Sequence, residues 1–253
     1  MRCLVLLLAA FGLGVPAPAV AQTYVYEEVV ESWVDVAASR FVSPQLAMVE
    51  QGALAAFGPF RVVSESRAAL VGITDENSPA QFAAMMAAYP GIVTLDFIEC
   101  PGTHDDRANL ALGRMIRARG IAAVVPEGGS VRSGAVELFL AGATRQIADG
   151  AEFAVHAWLD DRGLGAWDYA PDSPEHQKYL AYYREMGMAA EDAARFYAMT
   201  NSVPFETALW LDGVEMRGWI GMPAQSVAEA PRLAYADVPL AEPVRLDLEM
   251  ALN

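Results

Sequence analysis

Between Ala68 and Val125 the chain alternates short apolar runs with stretches of helical period, and this alternation restricts the fold more than any other feature. Ala68 to Ile73 reads as a strand, Pro79 to Tyr89 as a helix closed by Pro90-Gly91, and Ile92 to Ile98 as a buried strand. After the turn Cys100-Pro101-Gly102-Thr103, Asp105 to Gly120 reads as an amphipathic helix with Leu110, Leu112, Met115 and Ile116 inward. Ile121 to Val125 is the next strand. The order βαβαβ implies an α/β protein with a mainly parallel sheet, in which the loops at the carboxyl ends of the strands are the natural place for chemistry.

Beyond Val125, the turn Pro126-Glu127-Gly128-Gly129 leads to Ser130 and Ser133, and Gly134 to Ala143 reads as a helix entered at the serine. Two short strands follow, Arg145 to Ala148 and Glu152 to Ala157. The pattern from Ser173 to about Gly218 is helical throughout. Residues 222–253 carry Pro223, Pro231, Pro239 and Pro243 among many acids, which predicts an irregular acidic arm.

The N-terminus has the three parts of a secretory signal: Arg2, the apolar run Cys3 to Val15, and Ala19-Val20-Ala21 before the expected cut. Cleavage after Ala21 leaves one domain over 22–221 and the arm, in a periplasmic or secreted protein. No later stretch reaches the roughly 18 uninterrupted apolar residues of a membrane span. The signal also removes Cys3, so Cys100 is left without an internal disulfide partner and stability must come from a core. With 54% hydrophobic and 19% charged residues such a core is within reach. A formal charge of −15 argues against nucleic acid or an anionic membrane as partner.

Ser133 and His156 raise the question of catalysis. A serine at a helix entry has free backbone N–H groups around it, suited to a developing oxyanion, and Gly134 lets a substrate approach closely. The same serine, or Ser130, also suits a plain helix cap, and the residues alone leave both readings open. His156 lies in the apolar run Phe153 to Trp158, where a polar ring needs a partner. Lys178, the only lysine, falls well after both residues, so a serine mechanism here uses histidine as base. The remaining histidines, His104 beside two acids and His176 on an expected surface, show no metal-ligand spacing with it. We expect no metal and no cofactor; no phosphate-binding glycine fingerprint occurs.

Four segments carry a family resemblance. They are "LVGITDENSPAQFAAMMAAYPGIVTLDFIECPGT", "RANLALGRMIRARGIAAVV", "SVRSGAVELFLAGATRQIADGAEFAVHAW" and "YYREMGM". In this order and spacing the chain resembles the Clp protease/crotonase superfamily, and most its exported bacterial members of uncharacterised function. The resemblance covers about two thirds of the chain. It implies a repeated β-β-α spiral with a helical C-terminal part, Ser133 as nucleophile, His156 as base, and backbone amides at Thr103 and Gly134 as oxyanion hole. Gly102 would contact substrate, and the triad acid would come from the helical region, as Glu206 or, failing that, Asp212. A homo-oligomer is implied as well.

The sequence departs from that family at Pro101-Gly102-Thr103, where two glycines are usual, and at Arg132, a bulky cation beside the proposed nucleophile that would either bind an acidic substrate or block one. A threonine held at positive φ would be strained, which predicts an imperfect hole. Two function classes follow: an exported serine hydrolase acting on a peptide or protein substrate, or an inactive protein of the same fold serving as a binding or assembly module. An acyl-CoA enzyme fits less well, since export separates it from coenzyme A and cations for its phosphates are few.

Overall fold

The computed structural model describes residues 44–222. The signal segment, residues 1–21, and nearly all of the acidic arm lie outside the described residues. The described chain begins with helix α1 (Pro44–Gly52) and an antiparallel meander of β1 (Ala55–Phe57), β2 (Phe60–Ser64) and β3 (Arg67–Leu70). Helix α2 (Ser78–Ala88) then leads into a unit that repeats.

The first repeat is β4 (Thr94–Phe97), β5 (Glu99–Cys100) and α3 (Asp106–Ala118); the second is β6 (Ala122–Val125), β7 (Ser130–Arg132) and α4 (Ala135–Leu140). A third pair, β8 (Thr144–Ile147) and β9 (Glu152–Val155), completes the series. The first strand of each repeat joins one sheet, of order β1-β2-β3-β4-β6-β8, and the second joins another, in which β5, β7 and β9 run parallel. The fold is thus α/β, a β-β-α spiral with parallel-dominated sheets.

The sequence reading finds both strands of the third pair but only the first strand of the other two. β5 has two residues and β7 three, too short for an apolar period to register, so they read as turns around Cys100 and Gly128-Gly129. β1 and β2 were likewise not anticipated.

The helical part contains α5 (Pro174–Glu185), α6 (Ala190–Thr200) and α7 (Gly213–Trp219), interrupted by β10 (Leu209–Asp212). β10 pairs antiparallel with β9 and makes the second sheet four-stranded. Its sequence, Leu-Trp-Leu-Asp, satisfies a helical period as well as a strand, and pairing with β9 decides the outcome.

Capping fixes α3: the Asp105 carboxylate accepts from the Ala108 N–H at 2.8 Å, and Asp106 and Arg117 complement the helix ends. All six residues of α4 are buried. Phe139 on α4 meets Phe97 of β4 and Phe153 of β9 edge-on, with centroids 5.8 and 5.4 Å apart. This short helix therefore ties the two sheets together, and side chains at its start are held by the core. Among the described residues no helix is long and apolar enough to cross a membrane.

Candidate active site

In the second sheet, β5, β7 and β9 are parallel and stop at one edge. The chain leaving β5 supplies Gly102 and Thr103, the chain leaving β7 supplies Ser133 and Gly134, and the residue after β9 is His156. Thr103, Ser133, Gly134 and His156 all line one cleft of about 780 Å³.

Ser133 has φ of 49°, the only non-glycine residue at positive φ among those described. That left-handed turn is costly for a side-chain-bearing residue and persists only where the surroundings enforce it. Here its N–H donates to Ala154 O at 2.8 Å and its carbonyl accepts from the Val136 N–H at 2.9 Å. The N-cap of α4 is Gly134, with no side-chain cap bond, so the Ser133 hydroxyl is not used as a helix cap.

Gly102 and Gly134 explain how the strands come so close. Gly102 has φ of 136°, and a Cβ there would lie 3.0 Å from Ser133 Cβ. A Cβ on Gly134 would lie 2.5 Å from Thr103 Cγ2. Either side chain would push the serine turn away from the β5 turn.

Thr103 needs no positive φ, which corrects the expected strain: the left-handed position falls on Gly102. Thr103 forms a parallel bridge with Thr74, in which the Thr74 N–H donates to Gly102 O at 3.0 Å and the His104 N–H to Thr74 O at 2.8 Å. In an extended segment so paired, the Thr103 N–H points to the side away from Thr74. Asn109, buried on α3, braces this arrangement. Its Nδ2 donates to Gly134 O at 2.6 Å and its Oδ1 accepts from Thr74 Oγ1 at 3.0 Å. Sequence reasoning missed Asn109; an amide on the inward face of an amphipathic helix was the available signal.

His156 Nδ1 lies 2.9 Å from Ala157 O. A carbonyl only accepts, so Nδ1 carries the proton and Nε2 is the basic nitrogen. Phe205 packs edge-on against the ring, centroids 4.8 Å apart. The two acids proposed for a triad are elsewhere. Glu206 follows Phe205 but is exposed, and the ring's hydrogen-bond partner is the carbonyl. Asp212 pairs in register with Glu152, four residues from His156 or roughly 13 Å along the strand. Its carboxylate caps α7 by accepting from the Glu215 N–H.

Arg132 does not enter the cleft. Its guanidinium donates to Glu99 Oε1 at 2.5 Å and to Ser130 Oγ at 3.0 Å, so it neither blocks nor awaits an acidic substrate. His176, expected at the surface, is 7% exposed, with Nδ1 2.7 Å from Tyr197 OH and Trp158 Nε1 donating to the same oxygen at 2.7 Å. These contacts set Trp158, Tyr179 and Tyr197 as an aromatic wall, the rings stacked at 5.9 Å.

Glu137, one turn into α4, also lines the cleft and was not singled out from the sequence. Burial pushes its carboxyl up from 4.5 to about 7, against a hydrogen bond from Tyr183 OH at 2.7 Å, with the nearby charge of Asp106 adding to the rise. The signal was a lone acid in the apolar run Ala135 to Leu140.

No family model matches the chain, and no curated protein matches it significantly. Solved structures that it is similar to include a membrane-bound stomatin-specific protease in complex with a substrate peptide. That structure is 15% identical with a TM-score of 0.40, covering 60% of this chain and 73% of that one. A ClpP1 variant from Listeria monocytogenes is 13% identical with a TM-score of 0.42, covering 62% and 88%. The ClpP protease catalytic domain from Plasmodium falciparum is 11% identical with a TM-score of 0.41, covering 65% and 88%.

Proposed function

We propose that this protein is a serine hydrolase acting on peptide bonds. The observation that carries the reading is the meeting of three strand ends in one cleft, where Ser133, held at positive φ, shares the lining with Thr103, Gly134 and His156. In the mechanism, Ser133 Oγ attacks the carbonyl carbon while His156 Nε2 takes its proton, and the N–H groups of Thr103 and Gly134 receive the oxyanion. His156 then returns the proton to the leaving amine. Water, activated by the same nitrogen, releases the acyl group from Ser133. The Ala157 carbonyl holds the tautomer, so the apparatus is a serine–histidine dyad; a carbonyl stabilises imidazolium less than a carboxylate does, and slow turnover is expected.

We also propose that the chain is exported, with cleavage after Ala21, and that it assembles as a homo-oligomer. The signal pattern supports the first and the family resemblance the second. The experiment for the catalytic reading is hydrolysis of a fluorogenic peptide library by the purified protein and its Ser133→Ala variant. Activity that falls at least about a thousandfold in the variant supports the hydrolase; no activity in the parent, or equal activity in both, favours the binding module.

A further inference from the structure

Glu137 has a placement that the dyad does not require. Its side chain sits within the core helix α4, 8% exposed, yet reaches the same cleft as Ser133 four residues earlier. One carboxyl oxygen, Oε1, accepts from Tyr183 OH at 2.7 Å. Beyond that bond, the carboxylate takes a hydrogen bond only from its own backbone N–H among the described residues. Asp106, at the start of α3, lines the cleft too, its carboxylate accepting from Tyr179 OH.

Neither acid has a cationic partner among the described residues. Of the cations around the cleft, Lys178 is held by Glu175 at 2.7 Å and Arg162 by Asp160 at 3.0 Å, while Arg107 is exposed on α3. A desolvated carboxyl beside a second acid is costly without a counter-charge. The walls around the pair are aromatic: Tyr179, Tyr183 and Trp158 line the same cleft. Lys178 Nζ already rests over the Trp158 and Tyr179 rings, at 5.3 and 5.2 Å, so these faces accept cations.

We propose that Glu137 and Asp106 form a subsite for a cationic side chain, a guanidinium or an ammonium, of the peptide whose carbonyl meets Ser133. The subsite makes Glu137 a specificity-determining residue: binding a cation restores to the carboxylate the partner that the fold withholds. The inference rests on the hydrolase reading for its substrate but not for its binding chemistry, and the two are separable by experiment.

The test is calorimetric titration of N-acetyl-arginine amide and N-acetyl-norleucine amide into the full chain carrying Ser133→Ala. The arginine amide is expected to bind at least tenfold more tightly at pH 8. The preference shrinks at pH 6, where Glu137 takes up its proton, since its carboxyl titrates near 7. Tyr179 and Tyr183 from α5 and Asp106 from α3 face that carboxyl, and His104 and His156 line the same cleft. Glu137→Gln, which keeps the acceptor for Tyr183, separates these contributions by removing the preference at pH 8. Equal affinity for the two amides, or a preference that survives Glu137→Gln in folded protein, overturns the subsite. An arginine preference without labelling of Ser133 by a fluorophosphonate leaves the subsite standing and removes the hydrolase reading; labelling without the preference does the reverse.

Discussion

Two buried carboxyls, one in each part of the molecule, contrast in what surrounds them. Asp96 on β4 is 1% exposed and receives two hydrogen bonds from Arg67 of the neighbouring strand, at 2.6 and 2.8 Å. Burial raises its pKa even so, because desolvation outweighs the attraction of Arg67. Glu137 on α4 suffers the same desolvation with a phenol and its own backbone N–H in compensation, and no cation. The first sheet neutralises its buried charge internally, whereas the cleft at the edge of the second leaves its charge open. On the reading proposed above, the acid matched by the fold serves stability and the one without a cation beside Ser133 serves a ligand.

The strongest break of this contrast is on the structural side. Asp96→Ala leaves Arg67 without its partner and opens a small cavity, and should lower stability by about 3 kcal/mol in denaturant unfolding. Activity per folded molecule should stay within about twofold, since Asp96 does not line the cleft.

The cleft acid should behave in the opposite sense. A carboxyl raised from 4.5 to about 7 binds more protons folded than unfolded between those values, so stability falls as pH rises through that window. The full shift corresponds to at most ~3 kcal/mol. Glu137→Gln should flatten the decline between pH 5 and pH 8 and leave the protein about 1–2 kcal/mol more stable than its parent at pH 8, as read by thermal unfolding. A decline unchanged in the variant would show that other groups carry it.

The smallest effect is expected at Glu206. Exposed and not bonded to His156, it should tolerate alanine with less than about 0.5 kcal/mol of stability lost and less than a twofold change in rate. A hundredfold loss would restore it as a triad acid.

The parts legible in the sequence are those with a period or a chemical identity. The apolar runs at β4 and β6, the amphipathic α3 and the arrival of Ser133 and His156 at one cleft fall in this group. Illegible parts depend on contacts between distant segments. β5 and β7 exist because each pairs with a neighbour from another repeat, not because two or three residues prefer to be extended. The strained turn at Ser133 comes from packing against Gly102 and the bond to Ala154 O, which no local pattern announces. Glu206 was reached by counting along the chain, while the partner of His156 is the carbonyl of the next residue, a contact without a sequence signature. His176 looked like a surface residue in Glu175-His176-Gln177 and is buried because Trp158 and Tyr197 close around it.

The central claim is that Ser133 is a nucleophile activated by His156. Incubating the full chain with a fluorophosphonate and mapping the adduct by peptide mass spectrometry tests it without knowledge of the substrate. The account predicts one adduct, on Ser133, absent in Ser133→Ala and formed at least about a hundredfold more slowly in His156→Ala. An unlabelled Ser133 in folded protein, or labelling at the same rate without the histidine, would contradict it.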